Sequence, residues 1–280
     1  MNWQADREKT WERISGWPLT SPLDQSLGVL VLAAHPDDET IGASLLLSRC
    51  PRSSVAFLTD GAPRDTNLWS AGANGSRDEY ANTRRQEVLC ALACADVSLQ
   101  NVFWLRGVDQ EAAFEICHLA QCFSKLMAGI CPAIVVTHAY EGGHPDHDSA
   151  AVVALMAVSL LDNNNKPLLL EMTSYHAHDG RCITGEFLHP GSTPEVCFEL
   201  SPSDQERKRK MMDAHASQRL VLENFPIDQE RLRIAPEYNF SKPPHEGKLW
   251  YECMSWAMTG SQWRELATAA INEIQEHSCR

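Results

Sequence analysis

Short apolar segments that alternate with helix-forming segments are the feature that most constrains this chain. Five apolar runs have the length of strands buried on both faces of a sheet, at residues 28–34, 54–59, 102–105, 133–137 and 167–173. The segments between them show helical spacing of apolar residues, at 39–49, 78–95, 111–127 and 148–161. Such alternation builds right-handed βαβ units. We predict an α/β fold with one doubly wound, mainly parallel sheet and helices on both faces.

The chain of 280 residues is predicted to form a single, Rossmann-like domain, because sheets of this type commonly run past 200 residues as one unit. The predicted parts are an N-terminal extension (1–26) with a short helix at 4–14, an α/β core (28–173) and a C-terminal elaboration (174–280). The elaboration is less regular than the core. In it we expect a helix over 203–222, a Pro-rich segment over 234–247 and a last helix near 260–275.

The charge balance excludes several kinds of partner. The chain has 24 Lys and Arg against 37 Asp and Glu, a formal net charge of −13, so we expect no nucleic-acid partner and no binding to anionic lipid. The longest nearly apolar run, 150–161, is far shorter than the roughly 20 residues that span a bilayer. The first 20 residues lack the apolar core of a secretory signal. These features predict a cytoplasmic protein whose partner is neither a nucleic acid nor a membrane.

Two clusters of imidazoles and carboxylates directly follow the first and fourth predicted strands. The first is HPDDE at residues 35–39, and the second, after a Glu-Gly-Gly loop, is HPDHD at residues 144–148. Ligands of open α/β sheets bind beyond the carboxyl ends of the strands, so we expect both clusters at the same edge. Neighbouring carboxylates repel each other, and a divalent cation reverses that repulsion. The two clusters together therefore predict a metal site.

A catalytic zinc ion takes three protein ligands, His nitrogens or carboxylate oxygens at about 2.0–2.2 Å, and keeps its fourth position for water. His35, Asp38 and one imidazole of His144 or His147 supply such a set. We favour His147, because a residue in the first turn of a helix can point back towards the edge of the sheet. A Fe²⁺ ion accepts the same two histidines and one carboxylate, so Fe²⁺ or another divalent ion is an alternative to Zn²⁺.

The remaining polar residues of the two clusters suit proton transfer. Asp37 is left without a metal and within reach of an activated water, as a general base must be. His144 would act from the opposite side, as an acid or as a partner for an oxyanion. Asp146 and Asp148 are suited to accept hydrogen bonds from the imidazoles and so to orient them.

At these motifs the sequence resembles the LmbE/PIG-L-type zinc-dependent N-deacetylases. That family includes GlcNAc-phosphatidylinositol de-N-acetylases and the deacetylases of the mycothiol and bacillithiol pathways. The resemblance rests on AHPDDE at 34–39 and HPDH at 144–147, and extends to Thr59-Asp60-Gly61, to RRQE at 84–87 and, more loosely, to KMMDAHASQ at 210–218. It covers roughly residues 28–220.

The resemblance implies a role for each matching residue. Zinc would be bound by His35, Asp38 and His147. Asp37 would be the general base, and His144 the general acid or oxyanion stabiliser, tuned by Asp146. Arg84 would face the substrate.

The implied activity is hydrolysis of an acetyl group from an N-acetylglucosamine-type sugar, giving acetate and a free amine. As the substrate we favour a soluble conjugate.

The sequence lacks the motifs of two other enzyme classes. The turn after the first strand has no G-x-G-x-x-G for a dinucleotide, and the chain has no G-x-S-x-G of a serine hydrolase. A non-haem Fe(II) enzyme and a non-catalytic glycan-binding relative are the alternatives. Outside the motifs, we favour helix capping for Asp109 over contact with a sugar hydroxyl. The resemblance allows His215 to approach the site, but we favour a position on a helix surface. His176 and His178 either line the pocket or face water.

Overall fold

The structure is a computed structural model that describes residues 3–278. Its strands are β1 (Val29–Ala33), β2 (Ser53–Thr59), β3 (Val102–Gly107), β4 (Ile134–His138), β5 (Leu168–Met172), β6 (Tyr175–His178), β7 (Arg181–Thr184), β8 (Glu195–Glu199) and β9 (Gln229–Ile234). Its α-helices are α1 (Trp3–Ser15), α2 (Asp38–Arg49), α3 (Arg77–Cys94), α4 (Ile116–Ile130), α5 (Pro145–Ser159), α6 (Pro202–Ala214), α7 (Arg219–Leu222), α8 (Trp250–Cys253) and α9 (Gly260–Ser278).

A seven-stranded sheet with the order β3-β2-β1-β4-β5-β9-β8 forms the centre of the fold. Strands β1 to β5 pair in parallel with their neighbours. Parallel pairing is what crossover connections through helices produce. The predicted doubly wound, mainly parallel α/β fold is thereby confirmed. Strands β9 and β8 extend the same sheet in the antiparallel direction.

The core is divided by the sheet into two apolar layers. Successive side chains of β1 alternate between them: Val29 and Val31 face one layer, and Leu30 and Leu32 face the other. The first layer packs against α1, α2, α3 and α6, and the second against α4, α5 and α9. Because both faces are covered, the central strands are continuous apolar runs rather than alternating ones.

The C-terminal part is more regular than the sequence predicts. The hairpin β6–β7 and the strands β8 and β9 were not predicted, because Glu195–Glu199 and Gln229–Ile234 are rich in charged residues. The helix predicted over 203–222 is also wrong in its extent. It ends at Ala214, and after a break at His215 the short helix α7 begins at Arg219.

The two HPD motifs meet where the order of the strands reverses. Connections from β1 run outwards to β2 and β3, whereas those from β4 run the other way to β5, so a crevice opens between β1 and β4. The first motif leads into α2 and the second into α5. The start of α5 is held by α9, because Trp263 Nε1 donates to the carbonyl of Pro145 at 3.0 Å. Within residues 3–278, no helix is long and apolar enough to cross a membrane.

Candidate metal centre and active site

The predicted site residues surround one cavity of about 600 Å³ at the crevice between β1 and β4. The polar floor of this cavity consists of His35, Asp37, Asp38, Arg84, Asp109, His144 and His147. Asp146 and Asp148, which the sequence predicts to orient the imidazoles, do not line the cavity; both are fully buried, and Asp146 lies behind His35. The topology thus brings residues from the turns after β1 and β4 and from α3 to within hydrogen-bonding distance of one another.

His35, Asp38 and His147 converge on one point. His35 Nδ1 lies 3.3 Å from Asp38 Oδ2, and His147 Nε2 lies 3.3 Å from Asp38 Oδ1. One candidate ligand atom from each of the three residues lies within 4.8 Å of the others. Ligands at about 2.0–2.2 Å from a tetrahedral zinc ion are roughly 3.3–3.6 Å apart. Each His–Asp38 distance matches this spacing, though at a different oxygen of the carboxylate, and nitrogen and carboxylate oxygen are donor atoms that zinc takes.

The protonation states of Asp38 and His147 suit a cation. Burial opposes ionisation of Asp38, but His147 and His138 outweigh it and hold the pKa of Asp38 well below its usual value. Burial lowers the pKa of His147 to about 4, so its imidazole is neutral at pH 7 and has a free lone pair. An ionised carboxylate beside a neutral imidazole is the form in which both side chains bind metals. In His35, burial is outweighed by Asp109, Asp146 and Asp38, which hold its pKa well above the usual value, so a metal ion would have to displace a proton from this imidazole.

Asp146 orients His35. Asp146 Oδ2 lies 3.1 Å from His35 Nε2, and the carboxylate also accepts the backbone N–H groups of Gln110 at 2.7 Å and Ala112 at 3.1 Å. A histidine ligand commonly donates its second N–H to a carboxylate in this way. With Nε2 facing Asp146, the Nδ1 atom of His35 is left facing Asp38.

His144 is held by the start of α5 rather than by the side chain of Asp146. As the residue before the helix, it accepts the backbone N–H of Asp146 at Nδ1, at 3.0 Å. A neutral His144 therefore carries its proton on Nε2, the atom that lies 2.6 Å from Gln110 Nε2. Two N–H groups cannot share a hydrogen bond, so this tautomer requires the Gln110 amide to turn its oxygen towards His144. Burial, together with the nearby His35, holds the pKa of His144 well below its usual value. The Asp146 carboxylate thus contacts His35, whereas the sequence predicts that Asp146 tunes His144.

Asp37 has an unusual backbone conformation at the edge of the cavity. Its φ of 131° is rare for a residue with a side chain. Arg84 Nη2 donates to Asp37 Oδ2 at 3.2 Å and to the carbonyl of Pro36 at 2.6 Å. Burial raises the pKa of Asp37 to about 7, against the opposing charge of Arg84. A carboxylate with a pKa near 7 is suited to take up and release a proton.

Arg84 itself is buried, not on a solvated helix face. Its guanidinium donates to Asp37, to the carbonyl of Pro36 and, through Nη1, to the carbonyl of Gly61 at 2.8 Å. The contact of Arg84 with Asp37 is therefore present without a substrate, and contact with a substrate remains a proposal.

Sequence reasoning missed three site residues. Asp109, expected to cap a helix, instead lies in the loop after β3 with Oδ1 3.3 Å from His35 Nε2 and 3.9 Å from His144 Nε2. His138, the last residue of β4, places Nε2 3.3 Å from Asp38 Oδ2 and stacks on the ring of His147. Their positions at the carboxyl ends of β3 and β4 were the available signal.

The third missed residue, His215, is fully buried and not on a helix surface. Its Nε2 atom lies 3.3 Å from Glu39 Oε1, beside the first motif. The helix ends there, so the histidine turns inwards. Of the two histidines left open, His176 is buried next to Glu141 and His178 is exposed, and neither lines the cavity.

The geometry defines a class: an α/β protein whose two HPD turns meet in a metal-ligand cluster at the point where the strand order reverses. Residues 30–158, just under half of the chain, match the family model described as "PIG-L: GlcNAc-PI de-N-acetylase". The resemblance of this chain to the LmbE/PIG-L family is therefore confirmed.

The curated relatives agree with this family. The chain is 26% identical over 147 residues to the Bacillus subtilis (strain 168) protein named "Probable N-acetyl-alpha-D-glucosaminyl L-malate deacetylase 2". That match covers 50% of this chain and 64% of the relative, so it spans less than two thirds of the relative's length. The Bacillus cereus protein of the same name is 26% identical over 153 residues, covering 50% of this chain and 65% of that protein.

Solved structures share the fold. The N,N'-diacetylchitobiose deacetylase from Pyrococcus horikoshii is 17% identical with a TM-score of 0.54, covering 84% of this chain and 94% of its own. A zinc-inhibited form of teicoplanin deacetylase is 14% identical with a TM-score of 0.54, covering 73% of this chain and 96% of its own. At these identities the similarity concerns the fold alone.

Proposed function

We propose that this protein is a zinc-dependent N-deacetylase that hydrolyses the acetamide of an N-acetylglucosamine-type sugar or glycoconjugate. The observation that carries the proposal is the convergence of His35, Asp38 and His147 in the same cavity as Asp37. The curated relatives are named as probable deacetylases of an N-acetylglucosaminyl malate, and two structural neighbours as deacetylases of N,N'-diacetylchitobiose and of teicoplanin. We transfer to this chain only the group they share, an acetylated amine on a sugar.

His35, Asp38 and His147 would hold the ion, and Asp146 would keep His35 oriented by accepting its second N–H. When bound, a zinc ion supplies Lewis acidity, which makes water a better nucleophile and polarises a carbonyl group. The rest of the chemistry belongs to the side chains around it.

Asp37 is the proposed general base. Its carboxylate takes a proton from the water that attacks the acetyl carbon, and Arg84 keeps the carboxylate oriented through Oδ2. The C–N bond then breaks, and the nitrogen must gain a proton to leave as an amine. Asp37 returns the proton that it took, so water and amide become acetic acid and a free amine with no further reactant, and the acid then loses its proton to give acetate.

His144 is the proposed partner of the developing oxyanion. Because Nδ1 accepts the N–H of Asp146, the proton of a neutral His144 lies on Nε2, which is 2.6 Å from the Gln110 amide and 3.9 Å from Asp109. A substrate oxygen would replace the Gln110 amide as the acceptor of this proton. A fixed N–H donor at this position stabilises negative charge on the carbonyl oxygen. The geometry of His144 therefore supports oxyanion stabilisation better than it supports the role of general acid.

Substitution of Asp37 and His35 tests this function. Asp37→Asn should keep one equivalent of metal and lose acetate release by at least about 100-fold, within the range typical of a general base. His35→Ala should lose both metal and activity. Asp78→Asn, on an almost fully exposed side chain, is the matched control and should behave as wild type.

The measurements are metal content by elemental analysis and released amine from a panel of N-acetyl sugars. Near-normal turnover by Asp37→Asn would refute the assigned base. A fully active protein free of metal would refute the hydrolytic centre. Iron in place of zinc, with consumption of O₂, would favour the Fe(II) alternative, and metal binding without turnover on any N-acetyl sugar would favour a glycan-binding protein.

A further inference from the structure

The cavity has two chemically different zones. Above the polar floor lies an apolar rim of four side chains, Leu68, Leu220, Val221 and Met254, of which 40%, 74%, 49% and 48% of the surface is exposed. Trp250 and Trp256 join them in the wall of the cavity. Large apolar side chains that are exposed together beside a pocket commonly mark a binding site.

The apolar rim is held in place by buried contacts. Leu222 and Phe225 anchor α7 in an apolar cluster with Ile41, and this leaves Leu220 and Val221 on the open face. The segment before α7 is tied to α3, because Ser217 Oγ donates to Glu87 Oε2 at 2.6 Å and Gln218 Nε2 donates to Tyr80 at 3.1 Å. A fixed apolar surface costs little ordering entropy when a ligand binds.

The rim offers no counter-charge for an anionic ligand. Among the residues that line the cavity in the described part of the chain, Arg84 is the one with a cationic Lys or Arg side chain, and its guanidinium is bonded to Asp37 and two carbonyls. The formal net charge of −13 also disfavours anions. A carboxylated group such as the malate in the names of the curated relatives would therefore be desolvated at this rim without an ionic partner.

We propose that the natural substrate carries an uncharged apolar group, alkyl or aryl, on the N-acetylated sugar, and that the apolar rim binds this group. The inference rests on the proposed function and narrows it. The sugar lies with its acetamide towards the polar floor, and its apolar substituent extends over Leu220, Val221 and Met254. The cavity volume of about 600 Å³ falls within the range of roughly 300–1,000 Å³ that small-molecule sites occupy.

A series of glycosides of N-acetylglucosamine tests the proposal: methyl, butyl and octyl, each used below its critical micelle concentration, and the malyl conjugate. A fully buried methylene increases affinity about fourfold. A half-buried butyl chain should therefore raise kcat/KM roughly tenfold over the methyl glycoside, and the octyl glycoside should exceed butyl. The malyl conjugate should be the poorest substrate.

The variant Leu220→Asp should abolish most of the gain with chain length, measured as the ratio of kcat/KM for the butyl and methyl glycosides within the same variant. Leu99→Asp is the matched control, since Leu99 is 63% exposed and lies outside the cavity. It should keep the full dependence on chain length.

The outcomes separate the inference from the proposed function. Turnover of the methyl glycoside without an increase for butyl, or a preference for the malyl conjugate, overturns the inference and leaves the deacetylase intact. If no glycoside releases amine, the proposed function fails. In that case calorimetry with Asp37→Asn still decides whether octyl glycoside binds more tightly than methyl and whether Leu220→Asp removes the difference. A wild-type dimer that Leu220→Asp dissociates in sedimentation would make the rim an interface between copies and would also overturn the inference.

Discussion

The backbone N–H of Asp37 donates to Oε2 of Glu39 at 3.0 Å, and this contact helps to hold Asp37 at its φ of 131°. Such a conformation costs about 1–3 kcal/mol and persists where surrounding contacts enforce it. Glu39 is fully buried, and its other oxygen accepts Thr40 Oγ1 at 2.7 Å and lies 3.3 Å from His215 Nε2. Glu39 is therefore a positioning residue for the proposed base, and His215 supports it from the far end of α6.

Removal of this support should slow the reaction without removing the metal. Glu39→Ala leaves the buried N–H of Asp37 without an acceptor, so we expect kcat to fall about 10–100-fold, as for other residues that orient active-site groups. Glu39→Gln keeps one acceptor oxygen and should recover part of kcat. KM and metal content should stay close to wild type. Glu206→Ala, on an exposed side chain of α6, is the control. Unchanged kcat in Glu39→Ala would contradict the positioning role.

The carboxylate of Asp146 gives a second prediction, on metal affinity. Asp146→Asn cannot accept an N–H from His35 and both backbone N–H groups as the carboxylate does, so His35 loses its fixed orientation. We expect metal affinity to fall about 10–100-fold. Competition with a chelator measures the affinity, and Asp213→Asn on an exposed position of α6 is the control. Wild-type affinity in Asp146→Asn would show that His35 needs no orienting carboxylate.

The core of the fold and the location of the site could be predicted from the sequence, because both depend on local patterns. A strand buried on both faces is a continuous apolar run, and the HPD turns directly follow two of these runs. Once the parallel sheet is predicted, both turns must lie at its carboxyl edge. That step needs no knowledge of distant contacts.

The missed parts depend on contacts between residues far apart in the chain. Strand β9 contains Arg233, a residue that favours the surface, and it is buried because Glu171 of β5 accepts from its Nε at 2.7 Å. The chain around His215 has no Gly or Pro to end a helix, so its helical pattern runs on to 222. The helix ends at Ala214, and the imidazole that follows is buried against Glu39, 176 positions away. No local pattern reveals such partners.

A third prediction concerns the buried ion pair that joins α6 to α2 and β9. Lys208 is fully buried, and its Nζ donates to the carbonyl of Ile41 at 2.7 Å and to Glu230 at 3.0 Å. Lys208→Met leaves the Glu230 carboxylate buried without its cation, so unfolding free energy should fall by about 3–5 kcal/mol.

The double variant Lys208→Met with Glu230→Gln should recover much of that loss, because neither partner is then an unpaired charge. Lys210→Met, on an exposed lysine of the same helix, should change stability by less than about 0.5 kcal/mol. Urea unfolding measures all three. If Lys208→Met and Lys210→Met had equal effects, the buried pair would make no special contribution to the packing of α6.

The pH dependence of stability gives the last prediction, and it concerns Glu171, a residue outside the cavity. Burial raises the pKa of Glu171 from 4.5 to about 7, although Arg233 opposes the shift. A carboxyl group whose pKa is higher in the folded state binds its proton more tightly there, so it stabilises the fold most below about pH 4.5 and loses that contribution as the pH rises to about 7. Glu171→Gln resembles the protonated form and does not titrate. The stability of wild type relative to Glu171→Gln should therefore fall between pH 4.5 and 8, by about 3 kcal/mol at roughly 1.4 kcal/mol per pKa unit. Urea unfolding at several pH values measures this difference, with Glu186→Gln on an exposed residue as the control. A difference that stayed constant over this range would mean that Arg233 keeps Glu171 ionised in the folded protein throughout.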